Sequence, residues 1–81
     1  MKVTVKNASK VVKSPSFPHM RIDPKDDCIM LALRHTSSGY QGVIIAKGSS
    51  SAYVGSYSDS FNESCFSKVF EGSVTLESEK E

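Results

Sequence analysis

Cys28-Ile29-Met30-Leu31-Ala32-Leu33 and Gly42-Val43-Ile44-Ile45-Ala46 are the two stretches on which the fold turns. A strand with one wet face alternates apolar and polar residues, whereas these are apolar at nearly every position. They therefore read as central strands covered on both faces, or as strands in a barrel or dimer interface. The polar segment between them ends in Ser37-Ser38-Gly39, a spacing that predicts a β-hairpin. This hairpin is the predicted core.

Upstream, Lys2-Val3-Thr4-Val5-Lys6 alternates with β-branched residues and predicts a half-buried strand with Val3 and Val5 pointing inward. Residues 14–27 carry Pro15, Pro18 and Pro24 with Asp23, Asp26 and Asp27, which predicts a long irregular loop and a candidate contact surface. Downstream, Lys47-Gly48-Ser49-Ser50-Ser51 is a turn, and Ala52-Tyr53-Val54-Gly55-Ser56-Tyr57 alternates again as a fourth strand. Ser60-Phe61-Asn62-Glu63 fits a helix-capping box, and Phe61, Cys65 and Val69 recur every four residues, so a short helix is expected near residues 60–69. After Gly72, Ser73-Val74-Thr75-Leu76-Glu77 closes the fold as a strand with Val74 and Leu76 inward, and residues 78–81 read as a disordered tail.

These elements make a single small β domain over residues 1–77. A small antiparallel barrel or strongly curved sheet, SH3-like in outline, fits best; an open sheet of four to five strands with the helix on one face is the alternative. With 81 residues, 38% hydrophobic content and 15 serines, the chain builds a small core and has no room for a large buried active site. A net charge of +1 argues against a surface dedicated to nucleic acid or membrane. The N-terminus interleaves charge with valine and lacks the apolar stretch of a signal peptide, and no run approaches a membrane span, so a cytoplasmic protein is expected.

In that compartment Cys28 and Cys65 read as reduced, buried thiols, and Asn7-Ala8-Ser9 and Asn62-Glu63-Ser64 as chance matches to a glycosylation acceptor. His19 and His35 have no nucleophile motif around them, and no Gly-x-Ser-x-Gly elbow, phosphate loop or dinucleotide fingerprint occurs. No close Cys or His pair has metal-ligand spacing, and Asp23, Asp26 and Asp27 lack the spacing of a calcium loop. The expectation is a protein without catalytic activity, cofactor or metal.

What remains is a set of contact residues. Tyr40, Tyr53, Tyr57 and Phe61 cluster in sequence around the hairpin, with Arg34 and His35 at its other end. Tyrosine and arginine suit binding because they cover much area with little entropy loss, and they also stack on nucleobases. Tyr53 and Tyr57 read equally well as lining a minor core. Charge is polarised: residues 1–22 hold Lys2, Lys6, Lys10, Lys13 and Arg21 without an acid, which makes Lys2, Lys6 and Arg21 a candidate basic surface. The same lysines also serve to keep an edge strand from pairing with other chains.

Tyr40-Gln41-Gly42-Val43-Ile44-Ile45, Val54-Gly55-Ser56-Tyr57-Ser58-Asp59-Ser60-Phe61 and Phe70-Glu71-Gly72-Ser73-Val74-Thr75-Leu76 resemble a group of short, uncharacterised bacteriophage-encoded proteins across residues 28–77. The resemblance implies an accessory protein made in the host cytoplasm during infection, and it supplies no site residue. The function expected is thus a binding protein that inhibits a host defence protein or sequesters a small nucleotide signal, as a homo-oligomer. A nucleic-acid-binding small β-barrel is the alternative, and a structural component of the phage particle the third.

Overall fold

The computed structural model describes residues 2–6 and 16–78. Seven strands run in chain order: β1 Lys2–Lys6, β2 His19–Asp23, β3 Cys28–Thr36, β4 Gly39–Ala46, β5 Tyr57–Phe61, β6 Lys68–Val69 and β7 Ser73–Glu77. They form two antiparallel sheets, one of five strands in the order β5-β4-β3-β2-β6 and a ribbon of β1 with β7. The fold is mainly β, as its composition of short apolar runs implies. In place of the expected barrel, the described strands form two sheets, and β5 and β6 end the larger one.

The central hairpin explains why its strands are apolar throughout. On one face Cys28, Met30, Ala32 and Ile44 pack with Phe66, flanked by Tyr40, Ala52 and Phe61. On the other, Ile29 and Ala46 pack with Phe70, flanked by Val3, Met20, Ile22, Ile45 and Val74. Two layers of contacts thus cover β3 and β4, one from the 61–66 segment and one from Phe70 and the β1–β7 ribbon. Ile29, Met30 and Ile44 are the largest side chains fully enclosed by them.

Register shifts distribute the apolar run between the faces. Ile29 lies opposite Ala46 and Met30 opposite Ile44, so Ile45 is an extra residue on β4 and parity flips there. A second shift, between Ala32 opposite Gly42 and Arg34 opposite Gln41, makes Leu33 the extra residue on β3. Leu33 is accordingly 41% exposed despite closing the most apolar run in the chain. Gly42 fits where it does because a side chain there would drive into the Leu31 carbonyl oxygen. The hairpin turn ends at Gly39, whose φ of 139° favours glycine and whose missing Cβ makes room for the Phe61 carbonyl.

Three sequence expectations are corrected. Residues 14–27 were expected as irregular loop, yet His19–Asp23 is β2, hydrogen-bonded between β3 and β6. Its side chains fit both faces, and Pro18 and Pro24 stand just outside it, where no ladder donor is needed. The aspartates build the tight β2–β3 turn: Asp23 Oδ1 accepts from the Lys25 amide, Asp26 Oδ1 from the Cys28 amide, and Asp27 adopts φ 60°.

The fourth strand sits later than its alternation implied, at Tyr57–Phe61, while residues 54–55 form a turn, the Gly55 amide donating to the Ile44 carbonyl and the Ile44 amide to the Ser56 carbonyl beside the bulge. The helix expected at residues 60–69 is absent: β5 runs to Phe61, a single turn spans residues 63–65 and β6 begins at Lys68. Asn62 governs that turn, its Oδ1 accepting from both the Ser64 amide and hydroxyl, while Glu63 reaches across to His35 rather than back to a cap.

β1 and β7 form at the expected residues, paired from Lys2 opposite Glu77 to Lys6 opposite Ser73, and Val3 and Val74 pack inward. Val5 and Leu76, also expected inward, are exposed because the ribbon covers the larger sheet with only part of its apolar face. Gly72 admits the chain beneath β1, since a Cβ there would strike the Lys6 carbonyl. The tail expected at residues 78–81 lies mostly outside the described residues. Among the described residues no helix is long and apolar enough to cross a membrane.

Candidate functional site

On the Met30 face of the larger sheet, β2, β3 and β4 bring together side chains far apart in sequence. Pairing sets His35 opposite Tyr40 and Tyr40 opposite Phe61; on β2, His19 lies opposite Ala32 and Arg21 opposite Met30. His19, Arg21, His35, Tyr40 and Phe61 therefore project from one face. Phe17, just before β2, joins them.

Tyr40 is the hub. The Arg21 guanidinium carbon lies 4.7 Å from the Tyr40 ring centroid, His35 meets the ring edge-on at 5.1 Å between centroids, and Phe17 is tilted at 6.3 Å. Phe17 also sits 4.6 Å from the His19 ring, and Phe61 meets Phe66 edge-on at 5.6 Å. A guanidinium over an aromatic face is held by the ring quadrupole, about 0.5–1 kcal/mol at a partly exposed site.

Arg21 is held from two further sides. Its Nε donates to the Phe66 carbonyl at 2.8 Å, which ties the 62–66 turn to β2, and its Nη1 lies 3.2 Å from His19 Nε2. Guanidinium groups only donate, so His19 Nε2 must be the acceptor and the neutral ring carries its proton on Nδ1. Burial and the positive Arg21 beside it both push His19 below the usual imidazole range, with the Ser16 backbone offsetting part of the shift. Nδ1 itself is buried and forms no hydrogen bond of normal geometry. These three contacts of Arg21, with a carbonyl, a neutral imidazole and a phenol ring, fix its fork, and none of the three partners is an anion.

His35 Nε2 donates to Glu63 Oε2 at 2.6 Å. Both side chains are more than half exposed, so the pair contributes little stability, on the order of 0–1 kcal/mol; its effect is to hold the 62–66 turn beside Tyr40.

The sequence-derived binding residues divide between the faces. His35, Tyr40 and Phe61 share one face, and Arg21 joins them. Arg34 points the other way, pairing with Gln41, which in turn donates to the Tyr57 hydroxyl at 2.6 Å. Tyr57 is 59% exposed and Tyr53 80%, so neither lines a core. Lys2 and Lys6 belong to β1, whose Val3 packs on the Ile29 face, opposite Arg21, so the three do not make one basic surface. Phe17, His19 and Glu63 were not expected at the site; the signal for the first two was Phe17-Pro18-His19-Met20-Arg21, which alternates around a proline, whereas Glu63 is placed by the 62–66 turn.

Two apolar clefts of about 300 and 330 Å³ open on the opposite, Ile29 side. The first is lined by Val5, Ile22, Asp27, Ile29, Ala46, Gly48 and Phe70, and the second adds Val3, Lys47 and Val54 to shared members of that set. Of the thiols, Cys28 is buried and free, with its pKa raised chiefly by burial, whereas Cys65 is free and exposed rather than buried. No cluster of three metal-ligating side chains occurs among the described residues. No family model, curated protein or solved structure matches the chain.

Proposed function

We propose that the protein is a non-enzymatic binding module that inhibits another protein in the host cytoplasm, docking through the face formed by Phe17, His19, Arg21, His35 and Tyr40. One observation carries this reading: the Arg21 fork is fixed over Tyr40 by the Phe66 carbonyl and His19, neither of which is an anion. A pre-ordered arginine beside tyrosine and a 41% exposed phenylalanine is the composition of a protein-interface anchor, since little side-chain entropy is left to lose on binding.

A protein partner suits this face better than a sequestered nucleotide. Its aromatic groups lie on a sheet surface, while the two clefts described above open on the other side. The second reading, a nucleic-acid-binding SH3-like barrel, loses support because Lys2 and Lys6 sit across the molecule from Arg21.

The test is site-specific photo-crosslinking in the cells that make the protein, with a photoreactive residue at Phe17 or, as control, at Tyr53. A discrete adduct from position 17, competed by the unmodified protein and missing from position 53, is expected. Absence of a competable adduct at 17 would overturn the reading.

A further inference from the structure

We infer that β7 is a dimerisation edge, pairing antiparallel with β7 of a second copy so that the ribbon becomes a four-stranded sheet in the order β1-β7-β7′-β1′. Among the described residues the ribbon is a separate two-stranded sheet, and such pairs are marginal on their own. Its register puts Val3 opposite Leu76 and Val5 opposite Val74, so all four share one face. Val3 and Val74 pack against the Ile29, Ala46 and Phe70 cluster, but Val5 and Leu76 stay 42% and 44% exposed. Half of an apolar face is therefore uncovered.

The charge pattern selects both the occupant and the edge. Pairing β1 with its own copy about Thr4 sets Lys2 against Lys6′ twice, and like charges directly opposite are destabilising. Pairing β7 with its own copy about Thr75 sets Val74 against Leu76′, Ser73 against Glu77′, and Thr75 on the two-fold axis. No charge repeats across that ladder, and two apolar pairs form on the face that already carries Val5. The lysines of β1 thus guard one edge while β7 is self-complementary. An isologous contact of this kind closes at two copies. Because the ribbon packs on the Ile29 side, both Arg21–Tyr40 faces remain outward in the dimer.

The test is light scattering on the full chain at tens of micromolar, together with cysteine crosslinking in a Cys65→Ser background. A dimer mass is expected, reduced to monomer by Leu76→Arg with the circular dichroism spectrum unchanged. Thr75→Cys should crosslink to a dimer with a short bis-maleimide, whereas Thr4→Cys should not. A monomer mass for the unsubstituted chain, a mass growing beyond two copies, or crosslinking from Thr4 but not Thr75 would each overturn the inference. Photo-crosslinking at Phe17 reads the opposite face and is independent of these results.

Discussion

Met30 and Leu33 stand three residues apart in one apolar run, yet they should respond very differently to truncation. Met30 is fully enclosed between Ile44, Phe66 and the neighbouring strands, while Leu33, the extra residue of the β3 bulge, is 41% exposed. Met30→Ala removes three heavy atoms from a closed site, about 2 kcal/mol of transfer free energy plus a cavity contribution, so a loss of about 3 kcal/mol is expected. Leu33→Ala removes a side chain that already meets water and leaves no closed cavity, so about 1 kcal/mol is expected. An 81-residue domain at ~0.05–0.15 kcal/mol per residue holds about 4–12 kcal/mol in all, so the first change removes a large share of its stability. At about 4–8 °C per kcal/mol, Tm should fall by about 12–24 °C for Met30→Ala and about 4–8 °C for Leu33→Ala. Urea unfolding followed by far-ultraviolet circular dichroism, at one fixed protein concentration, measures both. Equal losses would refute the bulge, because Leu33 would then be as enclosed as Met30.

Acidification should weaken the fold through His19. Its folded pKa lies below the unfolded value of 6.5, so the neutral form's advantage is intact above about pH 6.5 and is lost as pH falls through the folded pKa. Protonation also removes the acceptor for Arg21, so the urea midpoint should drop between pH 7 and pH 5, and the drop should be smaller in His19→Gln. Gly72→Ala should cost about 2 kcal/mol, because a Cβ there meets the Lys6 backbone carbonyl rather than a side chain able to yield; the unfolding midpoint checks it. Ellman's reagent should titrate one thiol in the folded protein, Cys65, and two in urea, as Cys28 is buried with its pKa raised.

The central hairpin was legible in the sequence because two unbroken apolar runs flank a short polar turn, and β1 and β7 because each alternates apolar and polar residues over five positions. The short helix was misread because Ser60 and Glu63 satisfy a local capping pattern, while the structure commits Glu63 to His35, 28 residues away, and gives the turn to Asn62. β2 was hidden by flanking prolines and aspartates, which mark its ends rather than its absence. With β2 hidden, half of the candidate site was hidden too: Arg21 read as a surface cation of the N-terminal region, and its stacking on Tyr40 depends on strand order. Arg34 and His35, adjacent on one strand, must face opposite ways, and the Leu33 bulge decides which: unbroken alternation from Met30 and Ala32 would put Arg34 on the Met30 face, whereas the extra residue puts His35 there.

The binding face is tested most directly by the affinity of the partner captured at Phe17 for Arg21→Ala and Arg34→Ala, each checked by circular dichroism for an intact fold. An anchor arginine is worth at least about 2 kcal/mol, so Arg21→Ala should weaken binding about 30-fold while Arg34→Ala, on the opposite face, leaves it unchanged. Equal affinities for the Arg21→Ala and unsubstituted proteins, or a larger loss from Arg34→Ala, would contradict the account.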